Sequence, residues 1–532
     1  MRFSLLVHVA PDTNPVLFGD MIRSVIEQRL SSWELVLAMD ARVRASLPPS
    51  TQRTLRGDHR IRVVAVDSAA SYADALQAAY ETSSGEFVGI IDPEDLLART
   101  ALSSIEQQIT VDPAVDCWYT DEDFVDDTGI YYRAFYKPDW SPERLRSQPY
   151  VGSLFISRRT VLEALTGAIA GAGPFGGLEP AAEAYDLTLR VTERASRIGH
   201  VARALYHRRC SAGGQLAAPN DDAGKRAVGA HLRRMAITAE IVTDYSTHTH
   251  RVVRALDGAP LISLIIPTRG STGRVWGTDR VFVTEAVRSV VDRCTYRNFE
   301  LVVVFDDDTP TAVLDELTSI GGDYLRLVPF HRPFNFSEKI NVGRANATGS
   351  LLLLFNDDIE VIAADFLETM AALAMEPDVG AVGAKLLLSD GRLQHGGHVY
   401  CGEPHHIMWG RWRDDPGPFA LMAVQRECIG VTAACLMTRA EVFDALGGFP
   451  TVFPIDFNDV DFALKLHQRG FRSIWAPAAE LYHFETQTRE KVSKPADVAM
   501  MYDLWQHELD HDPYFNPNLA PHRDDWVEIG LR

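Results

Sequence analysis

The chain has 532 residues, 46% hydrophobic and 23% charged, which suits a globular protein of roughly two to four domains and excludes wholesale disorder. A formal net charge of −20 excludes a nucleic-acid binder that works by neutralising phosphates, because that needs a basic face. The six cysteines form no C-x-x-C pair and are too sparse for a disulfide framework, so they read as reduced thiols of a cytoplasmic protein. The start, MRFSLLVHVAPDTNP, meets Asp and Pro too early for a signal peptide, and no run approaches the ~20 apolar residues of a membrane helix.

In chain order, SLLVHVAP from Ser4 is a short apolar run ending in Pro, as in a buried parallel strand. Helical apolar spacing follows over 19–29. Then come SWELVLAMD, ending at Asp40, and SSGEFVGIIDPEDLL, containing Asp95. YDLTLRVTERASRIGHVARALYH carries Asp186 and His207. The stretch 211–222 reads as a linker from its Gly, Pro, Ser and Asn content, followed by a helix over 223–239 and a strand near 251–256. SLIIPT from Ser263 then repeats the opening strand, with a helix expected over 284–291. NFELVVVFDD supplies Asp306 and TGSLLLLFNDDIEV supplies Asp357 and Asp358. VDFALKLHQRGFRSIWAPAAELYH repeats the Asp186–His207 segment with Asp461 and His483.

Four segments therefore recur in order and at near-constant spacing. Asp40 to Asp95 is 55 positions and Asp306 to Asp358 is 52; Asp186 to His207 is 21 and Asp461 to His483 is 22. The reading is two tandem α/β, Rossmann-like domains with largely parallel, doubly wound sheets: 1–210, a linker with helix at 211–258, a second domain at 259–490, and a tail at 491–532 whose Pro and Asn content suggests an irregular strap.

In open parallel sheets ligands bind beyond the carboxyl ends of strands. Asp306 and the Asp357–Asp358 pair lie at such ends, where clustered carboxylates repel one another unless a cation or a donor joins them. Oxygen ligands suit Mg²⁺ or Mn²⁺, which commonly bridge carboxylates to substrate phosphates. Asp459 and Asp461 open an amphipathic helix. One of the two suits a helix-end role and the other a base facing a cleft. His483 follows in a strand-like run, with His207 as its repeat partner.

The stretches SLIIPTR, NFELVVVFDDD, PFNFSEKINVGRANATGSLLLLFNDDIEV, LSDGRLQHGGHVYCGEPHH, GVTAACLMTRAEVFDALGGFP, FNDVDFALKLHQRGFR and ELYHFE resemble glycosyltransferase family 2, of the GT-A fold. They are most similar to tandem-domain bacterial enzymes of O-antigen and other cell-surface polysaccharide synthesis. In the first repeat, SWELVLAMD, YTDEDFVDDTG, FYKPDWSPERL, YDLTLRV and ALYHRR carry the resemblance. It implies an inverting transferase that takes a nucleotide-sugar donor and a glycan or lipid-linked glycan acceptor. It also implies a place in the cytoplasm or peripherally at the inner face of the plasma membrane.

By the same resemblance Asp306 contacts the nucleobase, with Pro267 and Thr268 beside it. Asp358 and His483 hold Mg²⁺ or Mn²⁺, Asp357 stands next to them, and Asp459 is the general base with Asp461 as competitor. Gly447, Gly448 and Phe449 match the turn before the acceptor region. Gln394, His395 and Gly396 match a motif of the subgroup whose role the sequence does not give. The first repeat keeps Asp40, Asp95 and His207 as a degenerate donor or metal site, but Ala184 stands opposite Asp459. A second active transferase, a nucleotidyltransferase and a non-catalytic glycan-binding scaffold are the alternatives.

Overall fold

The computed structural model describes residues 1–165, 173–210, 220–484 and 494–529. The chain divides into two compact units. The first comprises Met1–Trp140, Gln148–His250 and Asn516–Asn518; the second comprises Ser141–Ser147, Arg251–Phe515 and Leu519–Arg532. The expected linker at 211–222 lies, up to residue 219, outside the described residues.

Both units are mixed α/β and share one strand order. In the first, the sheet runs Ile61–Ala65, Trp33–Met39, Phe3–Val9, Phe87–Ile90, Phe155–Arg158, Cys117–Val125, Ile198–Arg209, Leu96–Leu97. In the second it runs Leu325–Phe330, Phe299–Asp306, Ile262–Thr268, Leu351–Phe355, Cys435–Arg439, Val379–Leu387, Arg472–His483, Ile359–Val361. The first four strands of each are parallel. Beyond them the sheet is mixed, since Cys435–Arg439 runs antiparallel to both its neighbours and Ile359–Val361 runs antiparallel to Arg472–His483. A parallel sheet is thus present only in the first four strands of each unit. The later strands enter by connections that sequence periodicity does not register.

The continuous apolar runs are explained by burial on both faces. Leu351, Leu353 and Phe355 join one core cluster and Leu352 and Leu354 join the other, so alternate side chains fill opposite layers.

The repeat extends to the hydrogen bonds. In the first unit Ser4 Oγ donates to Glu34 Oε1 at 2.7 Å and accepts from the Gly85 N–H at 2.8 Å. In the second, Ser263 Oγ donates to Glu300 Oε1 at 2.6 Å and accepts from the Gly349 N–H at 2.8 Å. A Cβ on Gly85 or Gly349 would meet those serine hydroxyls at 2.5 and 2.6 Å, so only glycine lets the strands' entries approach. The helix expected over 284–291 spans Phe282–Arg293, that over 19–29 spans Pro15–Ile26, and that over 223–239 spans Asp221–Arg234.

The tail corrects its sequence reading. Pro495–Asp510 is a helix, not an irregular strap. Its Met501, Trp505 and Leu509 recur every fourth residue and are buried with Val460 and Leu464 of the helix Asn458–Gln468. Pro495 sits at the first helical turn, where its missing N–H costs nothing. The Pro and Asn content that suggested a loop belongs to the residues after Asp510.

Candidate active site

Three neighbouring parallel strands of the second unit end side by side, and their ends carry Asp306, Thr268 and the run Asn356-Asp357-Asp358. Thr268 Oγ1 donates to Asp357 Oδ2 at 2.6 Å and accepts from the Gly270 N–H at 2.9 Å. Burial and the neighbouring Asp358 charge lift the Asp357 carboxyl to about 7, against the pull of Thr268, Lys339 and Arg269. Pro267, on the same strand, offers no backbone donor.

His483 ends the strand that pairs with Ile359–Val361, in register with Ile359, which places it beside Asp358. Its Nε2 lies 3.2 Å from Asp358 Oδ1 and 3.4 Å from Asn356 Nδ2. The carboxylate asks this nitrogen for a proton and the amide asks it for a lone pair. A divalent cation between them would take a lone pair from Nε2 and one from the Asp358 carboxylate, in place of the Asn356 N–H. Ligand bonds of about 2.1 Å at right angles put ligand atoms about 3 Å apart, close to the separation found. Asp358 and His483 thus fit the donor set that the sequence assigned.

Lys339 is the residue that sequence reasoning missed. It lies on the helix Phe336–Asn346, capped by Asn335 Oδ1 on the Glu338 N–H. Its side chain is wholly buried, and Nζ lies 2.9 Å from Asp306 Oδ1 while donating to Thr268 O at 2.7 Å. Burial pulls its pKa down, opposed by Asp306, Asp357 and Asp308. Lys339 therefore ties Asp306 to the strand end whose Thr268 holds Asp357. The signal was present in SEKINVG, a lysine on an otherwise apolar helical face, but only packing tells what it meets. Replacing Lys339 by Met leaves the half-buried Asp306 without its partner and should cost about 1–3 kcal/mol. A denaturation midpoint equal to that of the native protein would contradict this.

The two helix-start acids separate cleanly. Asp461 is buried, accepts from Trp505 Nε1 at 3.0 Å and pairs with Lys465 one turn on. Its repeat partner Asp186 has the same pairing with Arg190. Asp459 is half-buried and accepts from the Ala433 N–H at 3.1 Å and the Val460 N–H at 2.9 Å. Burial raises its pKa, while the Ala433 N–H, His406, the Thr432 hydroxyl and the Val460 N–H draw it down. Phe457, just before this helix, sits at φ +63°, a left-handed turn that costs a non-glycine residue on the order of 1–2 kcal/mol. Gly448, at φ +77°, lets the turn before Phe449 lie against Asn341, which accepts from the Phe449 N–H and donates to its carbonyl.

The first unit keeps the skeleton and loses the arrangement. Asp40 is spent as a helix cap, accepting from the Arg42 and Val43 N–H groups at 2.5 and 2.8 Å. Asp95 Oδ1 accepts from the Arg209 N–H, and burial lifts its carboxyl to about 7. His207 pairs with Asp123 at 2.5 Å, where His483 pairs with Asp358. Counting from the N-caps Ser71 and Asn335, Ala75 takes the place of Lys339.

Residues 259–496 match the family model for glycosyltransferase-like family 2. The chain is 35% identical to uncharacterized protein y4gI of Sinorhizobium fredii (strain NBRC 101917 / NGR234), over 97% of this chain and 57% of that one. It is 32% identical to O-antigen biosynthesis protein RfbC of Myxococcus xanthus, over 97% of this chain and 40% of that one. The chain thus spans about half the length of these curated relatives. Among solved structures, the mannosyltransferase PcManGT from Pyrobaculum calidifontis, in complex with GDP-Man and Mn²⁺, matches 52% of this chain and 67% of its own at 18% identity and a TM-score of 0.33. Residues 259–496, which match the model of glycosyltransferase-like family 2, carry Thr268, Asp306, Lys339, Asp357, Asp358, Asp459 and His483.

Proposed function

We propose that the chain is a metal-dependent, inverting glycosyltransferase of polysaccharide synthesis, with its chemistry in the second unit. The observation that carries this is the convergence of Asp358 and His483 at 3.2 Å beside a buried acid held near neutrality. The donor is a nucleotide sugar and the acceptor a glycan or lipid-linked glycan. Among the described residues no helix is long and apolar enough to cross a membrane.

Asp306, fixed by Lys339, meets the nucleobase end of the donor. Asp358 and His483 would hold Mg²⁺ or Mn²⁺, which would supply positive charge against the departing diphosphate. Thr268 keeps Asp357 turned toward the same place. Asp459 takes the proton of the acceptor hydroxyl as that oxygen attacks the anomeric carbon from the face opposite the leaving group, so one displacement inverts the centre. The backbone N–H groups on Asp459 hold its carboxylate in place before the acceptor arrives.

The first unit is a catalytically degenerate copy that holds acceptor or stabilises the second. The change of partner at His207, the capping duty of Asp40 and the alanines at positions 75 and 184 support this reading. A thermal-shift panel of nucleotide sugars with Mn²⁺ tests the donor. A true donor at 100 times its Kd adds about 2.7 kcal/mol of stability. A panel in which no nucleotide sugar shifts the midpoint speaks against the assignment.

A further inference from the structure

His395, His398 and His406 of the second unit each bring a ring nitrogen to within 4.8 Å of the others. Such a trio invites a transition-metal reading, because imidazole suits zinc and its neighbours. The hydrogen bonds argue otherwise. The backbone N–H of Thr432 donates to His395 Nε2 at 3.2 Å, so that nitrogen carries the lone pair. Burial, reinforced by His406, His398 and Arg426, pushes the His395 pKa well below its ordinary value and keeps the ring neutral. A neutral imidazole has one proton, which must therefore sit on Nδ1. His395 Nδ1 lies 2.7 Å from His406 Nδ1 and donates to it. No lone pair is left there for a metal, and His406, accepting at Nδ1, carries its proton on Nε2.

The segment that His395 holds through Thr432 acts on the Asp459 carboxylate. Thr432 gives its hydroxyl to Asp459 and Ala433 gives it an N–H. His395 is itself completely buried at the end of the strand Leu393–His395, out of reach of any substrate. The glycine after it explains the close approach. A Cβ on Gly396 would lie 2.9 Å from the Ile407 carbonyl, next to His406.

We propose that His395 is the positioning residue for the base. One ring nitrogen holds the Thr432–Ala433 segment, which sets the place of Asp459, and the other fixes the tautomer of His395 through His406. The inference rests on the transferase reading, in which Asp459 accepts the proton.

The test combines long-range ¹H–¹⁵N NMR of full-length protein labelled in histidine with steady-state kinetics and metal analysis. His395 and His406 signals are assigned from His395→Gln and His406→Gln spectra. The expected tautomers are Nδ1–H for His395 and Nε2–H for His406. Misplacement of the base in His395→Leu should lower kcat by about 10²-fold and leave nucleotide-sugar affinity unchanged, which also certifies the donor site as folded. His395→Gln, whose amide oxygen can still accept from Thr432, should recover part of the loss. His406→Phe should fall further than His406→Gln, which can accept from His395 and still donate onward.

An Nε2–H tautomer at His395 would overturn the proposal. So would one equivalent of zinc, copper or nickel in protein purified without added metal that His398→Gln removes. Native kcat in His395→Leu would also overturn it and leave the transferase reading standing. A wild-type protein that turns over no nucleotide sugar removes that reading, and the positioning role with it.

Discussion

Asp459→Asn lowers kcat by about 10²–10⁴-fold, the usual loss for a removed general base, and leaves donor affinity close to native. The substitution keeps size, and its amide oxygen still accepts from one of the Ala433 and Val460 N–H groups, which use different oxygens of the carboxylate. Proton acceptance is lost, together with one of these two hydrogen bonds. The pH profile carries the same information. Burial raises the Asp459 pKa, and the base works only when ionised, so native kcat falls as the pH drops through that raised value. The asparagine variant lacks this acidic limb. Asp461→Asn is the matched comparison. It keeps an acceptor for Trp505 Nε1, gives up the Lys465 pairing and should cost about 1 kcal/mol of stability with kcat nearly native. Rates measured for both variants in one assay decide the pair. A dead Asp461→Asn beside an active Asp459→Asn would reverse the roles.

The second large effect separates the two units. Asp358→Ala removes half of the carboxylate–imidazole pair and should abolish transfer, whereas Asp95→Ala should leave sugar transfer intact. Their local settings differ in kind. Asp358 faces His483, and Asp95 accepts from the Arg209 N–H while His207 turns to Asp123. Product linkage analysis of both full-length variants is the measurement. If Asp95→Ala deletes one of two distinguishable linkages, the first unit is an enzyme in its own right.

Much of this architecture was legible because it is local. LLLLF is a strand buried on both faces and reads as one, and acids that follow such runs fall at strand ends by simple counting. The repeat was legible because the same short hydrogen-bonded corner, Ser4–Glu34–Gly85 and Ser263–Glu300–Gly349, demands the same residues twice. What the sequence withheld is tertiary. The lysine in SEKINVG gains its meaning only when its helix packs under Asp306. The histidines of QHGGHVYCGEPHH gain theirs only when a hairpin brings residue 406 against residue 395. Residues 141–147 give no sign that they pack with the second unit, where Glu143 binds Arg254 at 2.6 Å and accepts from Gln425 at 2.8 Å. Nor do residues 516–518 reveal that they belong with the first, where Asn516 Nδ2 donates to Asp121 at 3.0 Å. Exchanges of this kind depend on pairings hundreds of positions apart, which no periodicity encodes.

The most direct test follows what leaves the donor when full-length protein meets a stabilising nucleotide sugar and an acceptor glycan. The account predicts release of the nucleoside diphosphate, dependent on Mg²⁺ or Mn²⁺ and absent in Asp358→Ala, with inverted anomeric configuration in the product. Full turnover in excess chelator, or release of inorganic diphosphate in place of the nucleoside diphosphate, would contradict it.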